Sequence, residues 1–355
     1  IKLLIIKNIY ILNYKNMIDK KDTKLISIWL ITSLIMIFIM IIVGGLTRLT
    51  DSGLSITEWE LFKGIMPPLN EKVWIDYFES YKNIPQYQLI NFNMSLNEFK
   101  IIFYWEYFHR ILGRIIGLVF LIPLIYFHFR NKIPKDLLAP LYLVLFLIIL
   151  QGFIGWYMVQ SGLVNDVTVS HYRLSLHLSL ALLIISILFW IFLNTIKKTK
   201  KKFFLFENKN IIFLFLFLLI FSQIILGAFV SGLDAGKIYQ TWPLMGQSYF
   251  PTDFTINGLD NFFEFNNHSL VQFYHRNLAY LISLYILFLG FFIFIKKLKK
   301  LIKPYFLMFI FIIFQIVLGI LTLISDLNIY LASAHQISSV LLLFSALNLY
   351  YFHAK

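Results

Sequence analysis

The chain has 355 residues, of which 59% are hydrophobic and 14% charged, and its formal net charge is +13. With a mean hydropathy of +0.76, this composition excludes an ordinary soluble domain, in which about a quarter of the residues are charged. The absence of cysteine excludes disulfides, thiolate ligands to a metal and iron–sulfur clusters carried by this chain.

Eight apolar stretches are each long enough to cross a hydrocarbon core of about 30 Å as a helix. They cover approximately residues 25–46, 101–127, 137–160, 174–194, 211–231, 270–295, 304–324 and 331–352. The sequence therefore predicts an all-α integral membrane protein with eight transmembrane helices. The apolar segment before Met17 lacks a small-residue cleavage site, so we do not expect a signal peptide.

The basic residues lie mainly in segments that alternate with long acidic connections at 47–100 and 232–269. The basic segments are 15–24, 130–135, 197–202 and 296–303. The positive-inside rule then places both termini in the cytoplasm of a bacterial inner membrane protein, or in the matrix of a mitochondrial one. The basic excess thus reflects membrane topology, and we expect no nucleic-acid partner.

Two halves of the chain carry similar sequences. Residues 44–53 match residues 227–236, the same offset brings Trp59 onto Trp242, and residues 151–155 match residues 315–319. Because four crossings return the chain to its starting side, we expect two parallel four-helix repeats. These are an N-terminal half at 25–194 and a C-terminal half at 211–355, with a cytoplasmic segment at 1–24 and a basic cytoplasmic linker at 195–210.

The outer connection at 47–100 contains recurring aromatic and apolar residues, so we expect an ordered cap. Small residues in the helices allow close helix–helix packing, or alternatively leave room for a flat macrocycle. They are Gly44, Gly45, Gly152, Gly155, Gly227 and Gly319.

Four histidines occupy equivalent places in the two halves, and all are expected at similar depth in the outer leaflet. His109 and His275 are expected one to two turns into the second and sixth spans, and His177 and His335 near the starts of the fourth and eighth. Two histidines in each half suit the two axial positions of a haem iron better than the three ligands of catalytic zinc. His171, about 240° around the helix from His177, is expected in a loop or at an interface and not as a ligand.

Arginines lie beside both predicted sites. Arg110, Arg114 and Arg276 are candidates to pair with haem propionates, which guanidinium fits in bidentate geometry. The alternative for Arg110 and Arg276 is snorkelling toward the outer headgroups.

One position breaks the symmetry of the two halves. Glu106 lies three residues before His109, whereas Gln272 occupies the equivalent place before His275. A carboxylate within a membrane helix is costly and usually functional, so chemistry is expected in the N-terminal half and cofactor binding in the C-terminal half. The alternative is a structural ion pair with Arg110 or Arg114.

At these residues the chain resembles the haem A synthase family, in the cysteine-free class of alphaproteobacteria and mitochondria. The strongest motifs are GGLTRLTDSGLSITEW at 44–59 and EFKIIFYWEYFHRILGRIIGL at 98–118. Further matches are QGFIGWYMVQSGL at 151–163, VSHYRLSLHLSLALL at 169–183, FVSGLDAGKIYQTWPLMG at 229–246, VQFYHRNLAYL at 271–281 and ASAHQISSVLLL at 332–343.

The resemblance implies an oxidoreductase that converts the haem O ring methyl to a formyl group, giving haem A for haem–copper terminal oxidases. It implies that Glu106, His109 and His177 form the site for substrate haem O, and that His275 and His335 bind a haem b cofactor. It also implies an electron acceptor and a supply of haem O from a farnesyltransferase, and it leaves a homo-oligomer open.

Two other classes of function compete with this interpretation. A bis-histidine dihaem electron carrier linked to quinol would show the same composition and the same histidines. A transporter with repeat symmetry would require polar residues on broken helices at the membrane midplane, whereas the polar residues here lie toward the outer leaflet. Glu106 and the long motifs favour the synthase over both.

Overall fold

The computed structural model describes residues 2–58, 63–164, 166–204, 210–253 and 259–354, with side chains described throughout except at 2–20, 63 and 259–260. The predicted match of Trp59 to Trp242 thus falls partly outside the described residues. The α-helices in these ranges are α1 (Lys2–Leu49), α2 (Glu71–Lys82), α3 (Pro85–Leu89), α4 (Leu96–Phe129), α5 (Lys135–Val159), α6 (His171–Lys197), α7 (Ile211–Gly232), α8 (His268–Ile295), α9 (Lys299–Ile324) and α10 (Ile329–His353).

Eight of these helices are long and apolar enough to cross a membrane, in the part of the chain that the structure describes. They are α1 from Lys21 onward and α4 through α10, which confirms the eight predicted spans. The helix α1 continues from its span back to Lys2, so it includes residues 2–24 of the predicted cytoplasmic segment. The chain is therefore a multi-pass membrane protein, and its two long connections lie between α1 and α4 and between α7 and α8.

The order of helix contacts shows how the bundle is built. Successive spans pack as neighbours in the pairs α1–α4, α5–α6, α7–α8 and α9–α10. The helices α1, α6, α7 and α10 also contact one another and form the interior of the bundle. Buried leucine, isoleucine and phenylalanine side chains fill the half of the bundle nearer the α4–α5 connection. These side chains include Leu182, Phe217, Leu289 and Leu343.

The helix α4 begins earlier than its apolar run predicts. Ser95 Oγ accepts a hydrogen bond from the Glu98 N–H at 3.3 Å, and Glu98 Oε2 accepts one from the Ser95 N–H at 2.8 Å. This capping box starts the helix at Leu96 instead of at residue 101. His109 therefore lies almost four turns into its helix, and the expected one to two turns was wrong for it, although it holds for His275 in α8, which begins at His268.

The connection between α1 and α4 is an ordered cap in its described residues, as the sequence indicated. The helix α2 packs on α4 through Trp74, whose ring lies edge-on to Phe103 with the centroids 4.9 Å apart. Tyr81 is fully buried, donates to Gln86 Oε1 at 2.9 Å and accepts from Asn91 Nδ2 at 2.8 Å. Burial raises the pKa of Tyr81 to about 12, so its hydroxyl stays protonated as a donor.

Arg48 joins the C-terminal ends of α1 and α7. Arg48 Nη2 donates to the Ser231 carbonyl at 2.6 Å and to Asp234 Oδ1 at 3.2 Å, while Nη1 donates to Asp51 Oδ1 at 2.9 Å. The Arg48 side chain is only 12% exposed. This contact fixes the ends of two interior helices that belong to different halves of the chain.

Candidate functional site

The four predicted histidines meet in two pairs. His109 on α4 faces His177 on α6, with ring centroids 6.5 Å apart and ring planes inclined by 52°. His275 on α8 faces His335 on α10, with centroids 6.4 Å apart and planes inclined by 76°. The pairing joins residues that are far apart in sequence, and it is the pairing expected from the two halves.

The spacing of each pair suits one metal ion between two imidazoles. Two imidazoles on opposite sides of a metal, with metal–nitrogen bonds of about 2 Å, have ring centroids about 6 Å apart. Within the described residues, no group of three His, Cys, Asp or Glu side chains is placed to hold a metal ion. Two imidazoles in each site therefore fit an iron whose remaining ligands come from a macrocycle.

Each histidine ring lies against a glycine on the preceding span. A Cβ at Gly44 would lie 3.0 Å from His109 Cε1, and one at Gly155 would lie 3.0 Å from His177 Cε1. The same contact recurs at 3.3 Å for Gly227 with His275 and at 2.8 Å for Gly319 with His335. The missing side chains thus make space for the imidazoles.

Not every glycine named from the sequence serves this purpose. A Cβ at Gly152 would meet nothing within 4 Å, so that position packs against no neighbour. Gly45 instead accommodates the side chain of Gln336, whose Nε2 donates to the Ile41 carbonyl at 2.9 Å and joins α10 to α1.

Glu106 is buried and fully hydrogen-bonded. Its Oε1 accepts from Arg110 Nε at 3.0 Å and Nη2 at 2.5 Å. Its Oε2 accepts from the Ser55 hydroxyl at 2.7 Å and from the Ile56 N–H at 2.8 Å. The carboxylate therefore ties α4 to the start of the first long connection, and the ion pair with Arg110 left open by the sequence is present.

The equivalent region of the C-terminal half lacks the carboxylate. Gln272 Nε2 and Arg276 Nη2 both donate to the Tyr239 carbonyl at 2.9 Å, and Arg276 Nη1 donates to the Leu244 carbonyl at 3.2 Å. Nε of Arg276 and Oε1 of Gln272 are buried with no hydrogen-bond partner. The arginine is thus held by carbonyl groups, whereas Arg110 is held by a carbonyl and a carboxylate.

Arg110 and Arg114 both point toward the first connection. Arg110 Nη2 donates to the Ile56 carbonyl at 2.9 Å, and Arg114 Nη1 donates to the Gly64 carbonyl at 2.8 Å. Both line a small, partly open pocket between α4 and that connection, together with Tyr107. Neither guanidinium is directed only at bulk solvent, as simple snorkelling would require.

His171 lies apart from both pairs. It is the first residue of α6, and its ring centroid lies 5.5 Å from that of Phe229 on α7. A Cβ at Gly232 would come within 2.7 Å of the His171 Cβ, so the two helices approach closely there. This is the interface position that its helical phase predicted.

Three glutamines reach the histidines and were not assigned a role from the sequence. Gln151, Gln223 and Gln315 each place Nε2 within 3.3 Å of a nitrogen of His177, His275 or His335. Each stands four residues before the glycine that faces the same histidine. That spacing was the available signal, but its meaning depends on which helices pack together.

The chain is similar in sequence to known proteins of one family. The model of the cytochrome oxidase assembly protein family matches residues 27–347. The chain is 51% identical to the haem A synthase of Pelagibacter ubique over 91% of this chain and 94% of that protein. It is 42% identical to the haem A synthase of Rickettsia bellii over 89% and 94% of the two chains, and 41% identical to that of Flavobacterium psychrophilum over 91% and 96%.

The fold and the paired histidines define a multi-pass membrane protein with two sites suited to haem. The match covers nearly all of the spans, and the relatives are similar along almost their whole length. The chain therefore belongs to the haem A synthase family of cytochrome oxidase assembly proteins, which confirms the resemblance found in the sequence motifs.

Proposed function

We propose that this chain is an oxidoreductase that converts haem O to haem A by oxidising a ring methyl group to a formyl group. Substrate haem O is held between His109 and His177, and a haem b cofactor is held between His275 and His335. The observation that carries the proposal is the pair of facing histidines in each half, with centroids 6.5 and 6.4 Å apart. The names of the relatives support the product, haem A.

In the N-terminal site the protein orients the substrate and supplies charge beside it. His109 and His177 bind the substrate iron from opposite sides, and Gly44 and Gly155 leave room for their rings. The pocket beside Arg110 and Arg114 is the proposed place of a substrate propionate, because both guanidinium groups line it, together with Glu58.

We propose Glu106 as the acid–base group of the reaction. Its ion pair with Arg110 fixes the orientation of the carboxylate, which is the proposed acceptor of a proton as the methyl group is oxidised. Ser55 donates to the same carboxylate at 2.7 Å and helps to hold it against the first long connection.

In the C-terminal site the side chains hold a cofactor. When bound, haem b supplies one-electron relay chemistry. His275 and His335 would hold it, and Arg276 would bind a propionate, which would neutralise a guanidinium whose Nε is buried without a partner. The amide at Gln272 adds no charge that would compete for that arginine.

The proposed location of the protein is the bacterial inner membrane, with both termini in the cytoplasm. This orientation follows from the basic residues at the α4–α5, α6–α7 and α8–α9 connections. Both haem sites then face the outer leaflet. Haem O reaches the N-terminal site laterally from lipid after its synthesis by a farnesyltransferase, and a separate acceptor removes the electrons.

Chromatography of haems extracted from cells with and without this chain tests the proposal. We expect haem O to accumulate in its absence and haem A to return when the chain is expressed. Unchanged haem A in the absence of the chain, with haem b still bound to the purified protein, would instead indicate the dihaem electron carrier.

A further inference from the structure

The N-terminal pair of histidines is supported by a single amide. Gln151 on α5 places Nε2 3.2 Å from both Nδ1 and Nε2 of His177 and donates to the His177 carbonyl at 3.0 Å. A primary amide nitrogen carries two hydrogens, so one can bind the main chain while the other contacts the ring. Gln151 therefore limits rotation of the His177 ring.

Both histidines of the C-terminal pair have an equivalent amide. Gln223 Nε2 lies 3.2 Å from His275 Nδ1 and donates to the His275 carbonyl at 2.9 Å. Gln315 Nε2 lies 3.3 Å from His335 Nε2, and the Gln315 Oε1 accepts from the Ser338 hydroxyl, which fixes the amide. Each imidazole of this pair is therefore held by a glutamine on the preceding span.

His109 differs from the other three histidines. The residue four positions before its glycine, Gly44, is Met40. The Met40 methyl group lies beside Gly113, one turn beyond His109 on α4, because a Cβ at Gly113 would meet it at 3.1 Å. Met40 thus occupies the place of the glutamines and carries no amide, so this position offers His109 no amide of the kind that contacts the other three rings.

We propose that Gln151, Gln223 and Gln315 are positioning residues for three axial histidines, and that Met40 makes His109 the ligand that detaches. This rests on the proposed function, in which the four histidines bind haem iron. Groups that orient a metal-bound histidine typically change metal affinity by about 10–100-fold. A site in which one of the two histidines has no glutamine beside it suits a haem that enters and leaves. A site in which a glutamine contacts each histidine suits a resident cofactor.

The reciprocal exchange of Gln223 and Met40 tests this inference. Glutamine and methionine are unbranched and similar in length, so Gln223→Met removes the amide while largely preserving the packing. The purified protein with its bound haem is reduced and exposed to carbon monoxide, which binds only where an axial ligand detaches. The rate of haem transfer to apomyoglobin is measured in parallel.

In Gln223→Met we expect carbon monoxide to bind the C-terminal haem and its rate of loss to rise about 10–100-fold. In Met40→Gln loaded with haem O, we expect carbon monoxide binding at the N-terminal site to fall relative to the unmodified protein. Gln88→Met, at an exposed position on α3, is the matched control and should change neither property.

Unchanged carbon monoxide binding and haem loss in both exchanged variants would overturn the inference while leaving the proposed function intact. If Gln223→Met fails to fold, the Met40→Gln result alone decides, because that variant adds an amide and removes none. If the purified His275→Ala variant shows the same haem spectrum as the wild-type protein, the proposed function and this inference are both overturned.

Discussion

At the scale of single residues, the Glu106–Arg110 pair is the main chemical difference between the two halves. Breaking a buried ion pair leaves an uncompensated charge and is strongly destabilising, so the pair contributes to the packing of α4 against the first connection. The C-terminal half holds Arg276 without a carboxylate, using the carbonyl of Tyr239, which corresponds to Ile56 in the repeat. An arginine at this place therefore does not require the acid for its placement.

The first prediction concerns the acid itself. Replacing Glu106 with glutamine, as in the C-terminal half, should leave haem bound while haem A formation falls by at least about 100-fold, the range for loss of a general acid–base group. Haem content is measured by absorbance and haem A by chromatography of extracts. Ser55→Ala serves as the comparison, because it removes one hydrogen bond and leaves the carboxylate in place. Normal haem A formation by Glu106→Gln would contradict the catalytic role.

The second prediction concerns the resident cofactor. His275→Ala should remove haem b from the purified protein, because one of its two proposed axial ligands is lost. The measurement is the absorbance ratio of haem to protein and the low-spin spectrum. His128→Ala is the matched control, since His128 is exposed near the other end of α4. Equal haem content in both variants would exclude His275 as a ligand.

At the scale of helices, the same contact recurs in four packed pairs, with a glycine on one helix facing a histidine on the next. Two of these glycines, Gly155 and Gly319, would place a Cβ at 3.0 and 2.8 Å from the imidazole Cε1. A methyl group there displaces the ring by a few tenths of an ångström, which is enough to disturb metal geometry. The close approach of each glycine backbone therefore fixes the position of the imidazole ring that faces it.

The third prediction uses two glycines of one helix. Gly155→Ala should weaken binding of haem O in the N-terminal site, because the new methyl group pushes against His177. Gly152→Ala, three residues away, should bind haem O normally, and its higher helix propensity should stabilise α5 by about 0.5–1 kcal/mol. Titration of the purified variants with haem O, followed by absorbance, measures both. Equal affinity of the two variants would contradict the contact.

The limits of sequence reasoning are also seen at this scale. The apolar runs were sufficient to predict all eight spans, because length and hydrophobicity determine which segments cross a membrane. The start of α4 was missed because its capping box, Ser95 and Glu98, lies before the apolar run. The roles of Gln151 and its equivalents were missed because they depend on contacts across helices. The partners of Glu106 in the first connection, Ser55 and Ile56, are equally non-local.

At the scale of the whole molecule, the interior helices α1, α6, α7 and α10 connect the two histidine pairs. Gly44 contacts His109, and the next residue, Gly45, accommodates Gln336, which is adjacent to His335. Arg48 joins the end of α1 to the end of α7. The two sites thus share a packed interior, which is consistent with a cofactor in one half that serves a reaction in the other.

The fourth prediction tests this connection. Arg48→Gln should lower the apparent melting temperature in detergent by about 2–6 °C, since it removes charged hydrogen bonds worth about 1.5–3 kcal/mol from a partly buried position. Lys82→Gln removes an ion pair with Glu79 on the exposed face of α2 and should have little effect. Equal shifts in both variants would show that Arg48 does not hold the halves together.

The most direct test of the central claim is chromatography of the haems bound to two purified double variants and of the haems in the cells that express them. We expect His109→Ala with His177→Ala to retain haem b and produce no haem A. We expect His275→Ala with His335→Ala to lose haem b. Loss of haem b from the first variant, or haem A made by it, would contradict the assignment of substrate and cofactor to separate halves.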